Sequence, residues 1–170
     1  MIWYVLYVRG GKEEQIVRHL RKEGLDAFVP MVEKIHKKQG VSFKVEKVLF
    51  PNYIFVESEL NSIDFNVKLS EVKMKRFFQA KNLQYDLEGT SALSEEEQLM
   101  LERLLGKNKV VRHSTGIIEG DRIIILDGPL KGFESSIKKI DRHQRKAIIE
   151  VDVSSYPLQA SVSLEIISKI

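Results

Sequence analysis

The feature that most constrains this chain is a change of sequence pattern near residue 110. Before it, segments with strand-like alternation and segments with helix-like periodicity follow one another. After it come short runs of β-branched residues, such as residues 123–126 and 147–151, separated by Asp-Gly-Pro and Ser-Tyr-Pro turn signals. Such a change within 170 residues predicts an α+β domain, an antiparallel sheet covered by helices, followed by a small all-β barrel of the SH3-like kind.

The first part alternates between strands and helices. Its clearest helix is amphipathic, because Ile16, Val17 and Leu20 share one face while charged residues occupy the other. A basic hairpin with Gly40 at its turn divides the strands of this part. The predicted elements are, in order, a strand at 2–8, a helix at 12–23, a strand from 27 into the hairpin and back to 50, a strand at 53–57, a helix at 61–70 and a strand at 72–79.

A further helix closes the first part. Ser94 can cap its start, and the glutamates that follow lie in the first turn, where the helix dipole favours them. Gly106 stands where many helices end. The next ten residues are polar and lack helical periodicity, so we interpret them as a linker. The predicted boundaries are therefore a first domain at 1–106, a linker at 107–116 and a barrel at 117–170.

The composition argues against several classes of protein. A chain without cysteine has no disulfide framework and no thiolate zinc site, and its four histidines lack the spacing of metal ligands. No nucleophile and base pair, phosphate-binding loop or dinucleotide fingerprint is recognisable. We therefore expect a non-enzyme that needs no metal or cofactor. The lack of a basic leader and of a membrane-length apolar stretch predicts a cytoplasmic protein.

Residues 49–56, Leu-Phe-Pro-Asn-Tyr-Ile-Phe-Val, are the most informative segment of the first part. Alternation along a strand sends Tyr53 and Phe55 to one face and Ile54 and Val56 to the other. Both faces are apolar, and two interpretations follow. One is a central strand buried on both sides, and the other is an exposed aromatic patch that anchors a partner helix. Composition does not decide between them.

The second motif lies in the C-terminal part. Gly120 and Gly128 suit turns with positive φ, and Gly132 allows a close approach beside Phe133. Lys and Arg outnumber Asp and Glu by three from residue 107 onward, which accounts for the whole net charge of +3. A basic loop between two strands is either a solvated hairpin tip or a surface for an RNA backbone. The candidate RNA contacts are Lys131, Lys138, Lys139, Arg142, His143, Arg145 and Lys146.

Together these segments resemble the NusG family of transcription elongation factors. The opening Trp3-Tyr4-Val5 strand, the helix at 11–20 and the Phe50-Pro51-Asn52-Tyr53 segment resemble the N-terminal NusG domain, and residues 120–133 resemble a KOW motif. Asn52 replaces the glycine usual in housekeeping members, which resembles specialised paralogues such as RfaH and LoaP. The β-branched C-terminal part favours a permanent barrel over a helical hairpin, and so a LoaP-type antiterminator.

The resemblance implies that the first domain grips the clamp helices of RNA polymerase with a hydrophobic cavity. Carried over to this sequence, the polymerase contacts are Tyr4, Tyr7, Tyr53, Phe55, Phe77 and Phe78. The first helix would then lie near upstream or non-template DNA, although an ordinary solvated helix face explains its charges equally well. Its candidate DNA contacts are Lys12, Arg18, His19, Arg21 and Lys22.

The implied function is transcription elongation or antitermination by a monomer that binds RNA polymerase and structured RNA, without a membrane partner. A housekeeping-type alternative has a barrel that docks a ribosomal protein or a termination factor, with Phe133 as an apolar contact. A ribosome-associated KOW protein is a further alternative.

Overall fold

The computed structural model describes residues 1–8, 11–72, 81–82 and 92–170. They form two compact units, the first made of Met1–Val29, Pro51–Met100 and Val153–Tyr156, and the second of Pro30–Phe50, Leu101–Asp152 and Pro157–Ile170. No helix in the described part of the chain has the length and apolar character to cross a membrane. The elements, in chain order, are β1 (Ile2–Tyr7), α1 (Glu13–Lys22), β2 (Asp26–Phe28), β3 (Met31–Lys38), β4 (Val41–Val48), β5 (Tyr53–Ser58), α2 (Ser62–Glu71), β6 (Lys81–Asn82), α3 (Glu95–Leu105), β7 (Val110–Val111), β8 (Ser114–Glu119), β9 (Arg122–Asp127), a short 3-10 helix (Glu134–Ser136), β10 (Ile137–Asp141), β11 (Lys146–Val153) and β12 (Tyr156–Lys169).

The first unit is built on a four-stranded sheet in the order β2-β5-β1-β6. Strands β1 and β5 are antiparallel along their whole length, and α1 and α2 cover one face of the sheet. Since side chains alternate along a strand, Tyr4 and Leu6 of β1 point to the same face as Ile54 of β5. These residues pack against Leu20 of α1 and Phe65 of α2, which confirms the predicted apolar face of the first helix.

The opposite face of this sheet is also buried. Trp3, Phe28 and Phe55 are each exposed by 7% or less, and their rings lie 5.0 to 6.2 Å apart. Strand β5 is therefore covered on both sides, as Ile54 and Phe55 both have no exposed surface. Of the two interpretations of residues 49–56, the buried central strand holds for Ile54, Phe55 and Val56, while Tyr53 at the start of the strand keeps exposed surface.

The second unit contains a three-stranded sheet, β4-β3-β7, and a five-stranded sheet, β10-β11-β12-β8-β9. Strand β12 runs parallel to β8, while β8 and β9 form an antiparallel hairpin. The apolar side chains of the five-stranded sheet, such as Ile125, Ile149 and Leu164, are buried. The predicted fold class is confirmed, an α+β N-terminal part followed by an all-strand C-terminal part.

Local signals correspond closely to the observed elements. Ser94 and Glu97 exchange hydrogen bonds: the Glu97 amide donates to Ser94 Oγ at 3.1 Å, and the Ser94 amide donates to Glu97 Oε2 at 2.9 Å. The strand predicted from residue 27 into the hairpin is divided at Pro30, because proline has no amide hydrogen to continue a strand ladder.

Two further expectations differ from, or lie beyond, what the structure describes. The segment predicted as a linker contains β7, which pairs in parallel with β3, and the start of β8. Each compact unit takes residues from both sides of the predicted domain boundaries. The boundaries themselves stay a prediction. The strand predicted at 72–79 lies, apart from Val72, outside the described residues.

Candidate functional site

The first candidate surface is an aromatic pair where β1 ends and β5 begins. Tyr7 and Tyr53 are directly opposite in the strand register, and their half-buried rings meet edge to face with centroids 5.5 Å apart. Burial, together with the neighbouring Tyr7, raises the pKa of the Tyr53 phenol. Two half-exposed rings with polar tips form the kind of surface that anchors a partner.

The turn that precedes Tyr53 holds this pair in position. Asn52 has a φ of +74°, a left-handed conformation that glycine and asparagine adopt more readily than other residues. The Asn52 amide donates to Glu13 Oε1 at 2.8 Å, and the Asn52 carbonyl accepts from the Val8 amide at 2.7 Å. Glu13, on the first turn of α1, therefore connects the helix to the start of β5.

The structure corrects part of the predicted polymerase contact set. Tyr4 has no exposed surface: its ring stacks on Phe65 with centroids 3.8 Å apart, and its hydroxyl donates to the Leu60 carbonyl at 2.7 Å. Phe55 is equally buried. Neither side chain offers surface to a partner, because Tyr4 and Phe55 are buried on opposite faces of the sheet. Phe77 and Phe78 lie outside the described residues.

The predicted DNA contacts lie on or beside α1. Lys12, Arg18, Arg21 and Lys22 are exposed, and His19 is half-buried. Arg21 Nε donates to the Ala27 carbonyl at 2.8 Å, which directs this guanidinium toward β2. Exposure is what phosphate binding requires, and the DNA role of these residues stays a prediction.

The second candidate surface is a basic cavity of about 590 Å³ in the second unit. The β3–β4 hairpin and the β10–β11 loop both line it, together with Val162 and Ser163 of β12. The charged and ionisable groups among its lining residues are five cations and two histidines, with no carboxylate: Lys34, Lys37, Lys47, Arg145, Lys146, His36 and His143.

The β10–β11 loop has a defined conformation. Asp141 Oδ1 accepts from the Gln144 amide at 2.9 Å, and Arg145 has a φ of +48°. Arg145 Nε lies 3.4 Å from Glu165 Oε1, so part of its charge is already compensated. Arg142 and His143 are exposed, while Arg145 and Lys146 are half-buried.

Not all of the predicted RNA contacts meet at this cavity. The structure brings together His143, Arg145 and Lys146, and Arg142 lines a smaller neighbouring cavity. Lys131, Lys138 and Lys139 are exposed, but none of them is among the residues that line either cavity. Phe133, an apolar contact in the housekeeping alternative, is only 4% exposed, and the Arg103 guanidinium lies 5.4 Å from its ring centroid. Phe133 is therefore a core residue and not the apolar contact that the housekeeping alternative expected.

The sequence predicted a basic hairpin at β3–β4, but a binding role for its cations was not among the predictions. The signal was present, since Lys34, His36 and Lys38 occupy every second position of β3 and so share one face of the strand. The acidic residue of β3, Glu33, lies on the other face. Its pairing partner Glu46 is on that face too, so the register separates the two signs of charge.

The acidic face of the hairpin has its own cations. Glu33 is 5% exposed, and Arg112 Nη1 donates to its Oε2 at 2.8 Å, while Lys44 Nζ lies 3.8 Å from its Oε1. Burial acts to raise the pKa of Glu33, but the bond from Arg112 and the charges of Lys44 and Arg112 outweigh it and lower the pKa. The negative charges of Glu33 and Glu46 are thus compensated by cations on their own face of the hairpin, and they do not neutralise the basic cavity.

Comparison with known proteins shows which family this chain resembles. The family model described as "Transcription termination factor nusG" matches residues 1–88. The "Transcription termination/antitermination protein NusG" of Rickettsia typhi is 25% identical over 161 residues, covering 89% of this chain and 81% of the relative. The protein of the same name from Vibrio cholerae is 24% identical over 177 residues, covering 96% and 91%.

A solved structure described as "Domain interaction in Thermotoga maritima NusG" matches with a TM-score of 0.51 and 22% identity, covering 95% of this chain and 93% of that one. At that identity the likeness shows the fold. The more specific resemblance to RfaH and LoaP stays a prediction. Because the family model covers more than half of the chain, the chain belongs to the NusG family of transcription termination and antitermination factors.

Proposed function

We propose that this protein is an elongation or antitermination factor that binds RNA polymerase through the first unit and structured RNA through the β10–β11 loop. It acts by binding alone, as a monomer in the cytoplasm where bacterial polymerase works. Membership of the NusG family supports the polymerase interaction. The observation that carries the choice of surface is the half-exposed Tyr7–Tyr53 pair above the fully buried aromatic core.

The geometry of this pair suits the recognition of a helix. Helices are commonly recognised by a few apolar or aromatic side chains in a preformed groove. The positions of Tyr7 and Tyr53 are set before a partner binds, because both residues lie on paired strands and Glu13 accepts a hydrogen bond from the turn before Tyr53. Preorganisation reduces the entropy that binding must overcome. A factor held in this way shifts polymerase toward the conformation that it binds more tightly.

The test is the affinity of the full-length protein for core RNA polymerase, measured by biolayer interferometry. We expect Tyr7→Ala with Tyr53→Ala to weaken binding by about 30-fold or more, the effect of losing one interface hot spot of ~2 kcal/mol. Tyr156→Ala is the matched control, because that tyrosine is 46% exposed and lies elsewhere in the sequence. An affinity within about 3-fold of the wild type, with an unchanged melting temperature, would reject this surface.

The RNA role rests on the charge and exposure of the β10–β11 loop. Arg142 and His143 are exposed beside a cavity whose lining carries five cations. The competing role, in which the barrel docks a protein partner through Phe133, loses its apolar anchor because that ring is buried. The positive charge of the loop and the burial of Phe133 together favour a polyanionic partner.

The RNA role is tested with the full-length protein and a labelled RNA hairpin across a salt series. We expect Arg142→Gln with Lys146→Gln to lower the slope of log affinity against log salt by about 0.7 to 0.9 for each phosphate that the loop no longer neutralises. Lys107→Gln with Lys169→Gln removes the same charge from exposed positions outside the loop and should change the slope little. A wild-type protein with no affinity for RNA at low salt would reject the role.

A further inference from the structure

We propose that the basic cavity of the second unit binds an unpaired nucleic-acid strand, with the β3–β4 hairpin supplying as much of the site as the β10–β11 loop. Phosphate oxygens would lie among Lys34, Lys47 and Lys146, and an unpaired base would stack on Phe43. This inference rests on the proposed RNA role and extends it to the hairpin, which carries none of the RNA contacts proposed above.

The strand register makes one face of the hairpin basic and aromatic. Lys34 pairs with Val45, His36 with Phe43, and Val32 with Lys47, so these residues share a face. The two acidic residues, Glu33 and Glu46, form a pair on the opposite face, where Arg112 approaches both. The basic face therefore keeps its positive charge.

The cations of the cavity repel one another. Lys34 Nζ donates to Ser161 Oγ at 2.8 Å, and this neutral partner does not compensate the charge of the ammonium. Burial lowers the pKa of Lys34, and the charges of Lys47 and Lys146 lower it further. Like charges held close together in a partly desolvated cavity are stabilised when an anion enters. Phosphate is the anion that such a lysine cluster suits, because a lysine ammonium binds phosphate as a point charge.

An exposed aromatic stack distinguishes this cavity from a simple anion site. His36, which lines the cavity, stacks on Phe43 with centroids 5.9 Å apart and an angle of 21° between the rings. Phe43 is nevertheless 44% exposed. Aromatic rings beside a basic groove bind single strands by stacking on their bases, whereas a duplex keeps its bases stacked inside. The combination therefore favours an unpaired strand.

The experiment measures fluorescence anisotropy with the full-length protein and an unstructured RNA of about 12 nucleotides, a length within the usual range of single-strand sites. Its duplex and the DNA of the same sequence are the comparison ligands. We expect Lys34→Gln with Lys47→Gln to weaken single-strand binding by about 25-fold near 0.1 M salt, since two contacts contribute ~0.7 each to the salt slope. The matched control is Lys107→Gln with Lys169→Gln, which removes equal charge from exposed positions outside the cavity and should cost less than about 3-fold.

The stacking part is tested at Phe43. We expect Phe43→Ala to weaken single-strand binding by about 5-fold or more, and Phe43→Tyr to restore it because the ring is kept. Val41→Ala removes another exposed apolar side chain from the same face of β4 and should have little effect. Both residues are exposed enough for the fold to tolerate the changes, which circular dichroism will check.

The outcomes separate this inference from the RNA role on which it rests. Binding that is unaffected by changes at Lys34 and Lys47, but weakened by changes at Arg142 and Lys146, would overturn the shared cavity and leave the RNA role standing. A preference for the duplex would overturn the unpaired strand. A wild-type protein that binds none of the RNAs would overturn both. Equal binding of RNA and DNA strands would support the cavity as a general single-strand site, and a preference for RNA would indicate recognition of the 2′-hydroxyl.

Discussion

The contact between Glu13 and Asn52 allows a precise test of how the aromatic pair is held. The Glu13 carboxylate is 7% exposed, and its Oε1 accepts a 2.8 Å hydrogen bond from the Asn52 amide. Replacing Glu13 by alanine removes this bond and leaves the amide without its partner. A hydrogen bond to a charged group contributes about 1.5 to 3 kcal/mol, so we expect Glu13→Ala to lower the free energy of unfolding by ~2 kcal/mol.

The neighbouring residue provides the control. Glu14 also lies in the first turn of α1, where the helix dipole favours an acidic residue, but it is exposed. Glu14→Ala should therefore cost about 0.5 kcal/mol or less, which is the dipole contribution alone. Glu13→Gln keeps an oxygen acceptor without the charge and should fall between the two, at a cost of about 1 kcal/mol.

The assay is urea unfolding followed by the fluorescence of Trp3, the only tryptophan of the chain and part of the buried face of the same sheet. A loss of ~2 kcal/mol corresponds to a melting temperature lower by about 4 to 8 °C for a chain of this size. If Glu13→Ala and Glu14→Ala agree within about 0.5 kcal/mol, the carboxylate does not hold the turn and the reasoning is wrong.

Three further changes test other parts of the structure. Because Asn52 has a φ of +74°, Asn52→Gly should raise the free energy of unfolding by about 0.5 to 1 kcal/mol, and Asn52→Ala should lower it by a similar amount. Thermal melts in which the glycine variant is less stable than the alanine variant would refute this. Arg112→Ala should cost about 2 kcal/mol by removing the 2.8 Å bond to buried Glu33, and it should exceed the cost of Lys44→Ala, whose ammonium is 3.8 Å from the same carboxylate; equal urea midpoints would contradict it. His113 Nδ1 lies 2.6 Å from Ser163 Oγ, and burial lowers the pKa of this histidine although Glu165 and Glu33 act to raise it. The unfolded chain therefore takes up the proton first, so the contribution of neutral His113 is complete above its ordinary pKa of 6.5 and is lost as the pH falls toward the folded value. The urea midpoint of His113→Gln should accordingly fall less than that of the wild type between about pH 7.5 and 5.5, and an equal fall would show that His113 is not the group responsible.

Short-range physics made several elements predictable from the sequence. The Ser94–Glu97 cap depends on residues three positions apart, so the sequence alone contains both partners. The apolar face of α1 is likewise defined by residues one turn apart, and the order of strands and helices follows from periodicity. The β-branched runs of the C-terminal part favour strands through the stiffness of their own side chains. In each of these cases the deciding interactions are local.

The exposure of the aromatic residues was decided by tertiary packing. Tyr4 and Tyr7 belong to one strand, and Tyr53 and Phe55 to its neighbour, yet only Tyr7 and Tyr53 keep exposed surface. Periodicity indicates which residues share a face of a strand, but not whether another layer covers that face. Phe65, which buries Tyr4, lies in a helix distant in sequence. The candidate contact surface therefore follows from the sheet and its covering layers rather than from the motif alone.

The basic cavity depends on tertiary structure even more completely. The amino-acid sequence alone indicated that the β10–β11 loop is basic and that the hairpin around Gly40 is basic too. It did not bring these two groups together, because they belong to segments about a hundred residues apart in the chain. Only the folding of the second unit placed Lys34 and Lys146 around one cavity. Electrostatic potential adds up over space and not along the sequence, so a site assembled from two distant segments appears only when the chain has folded.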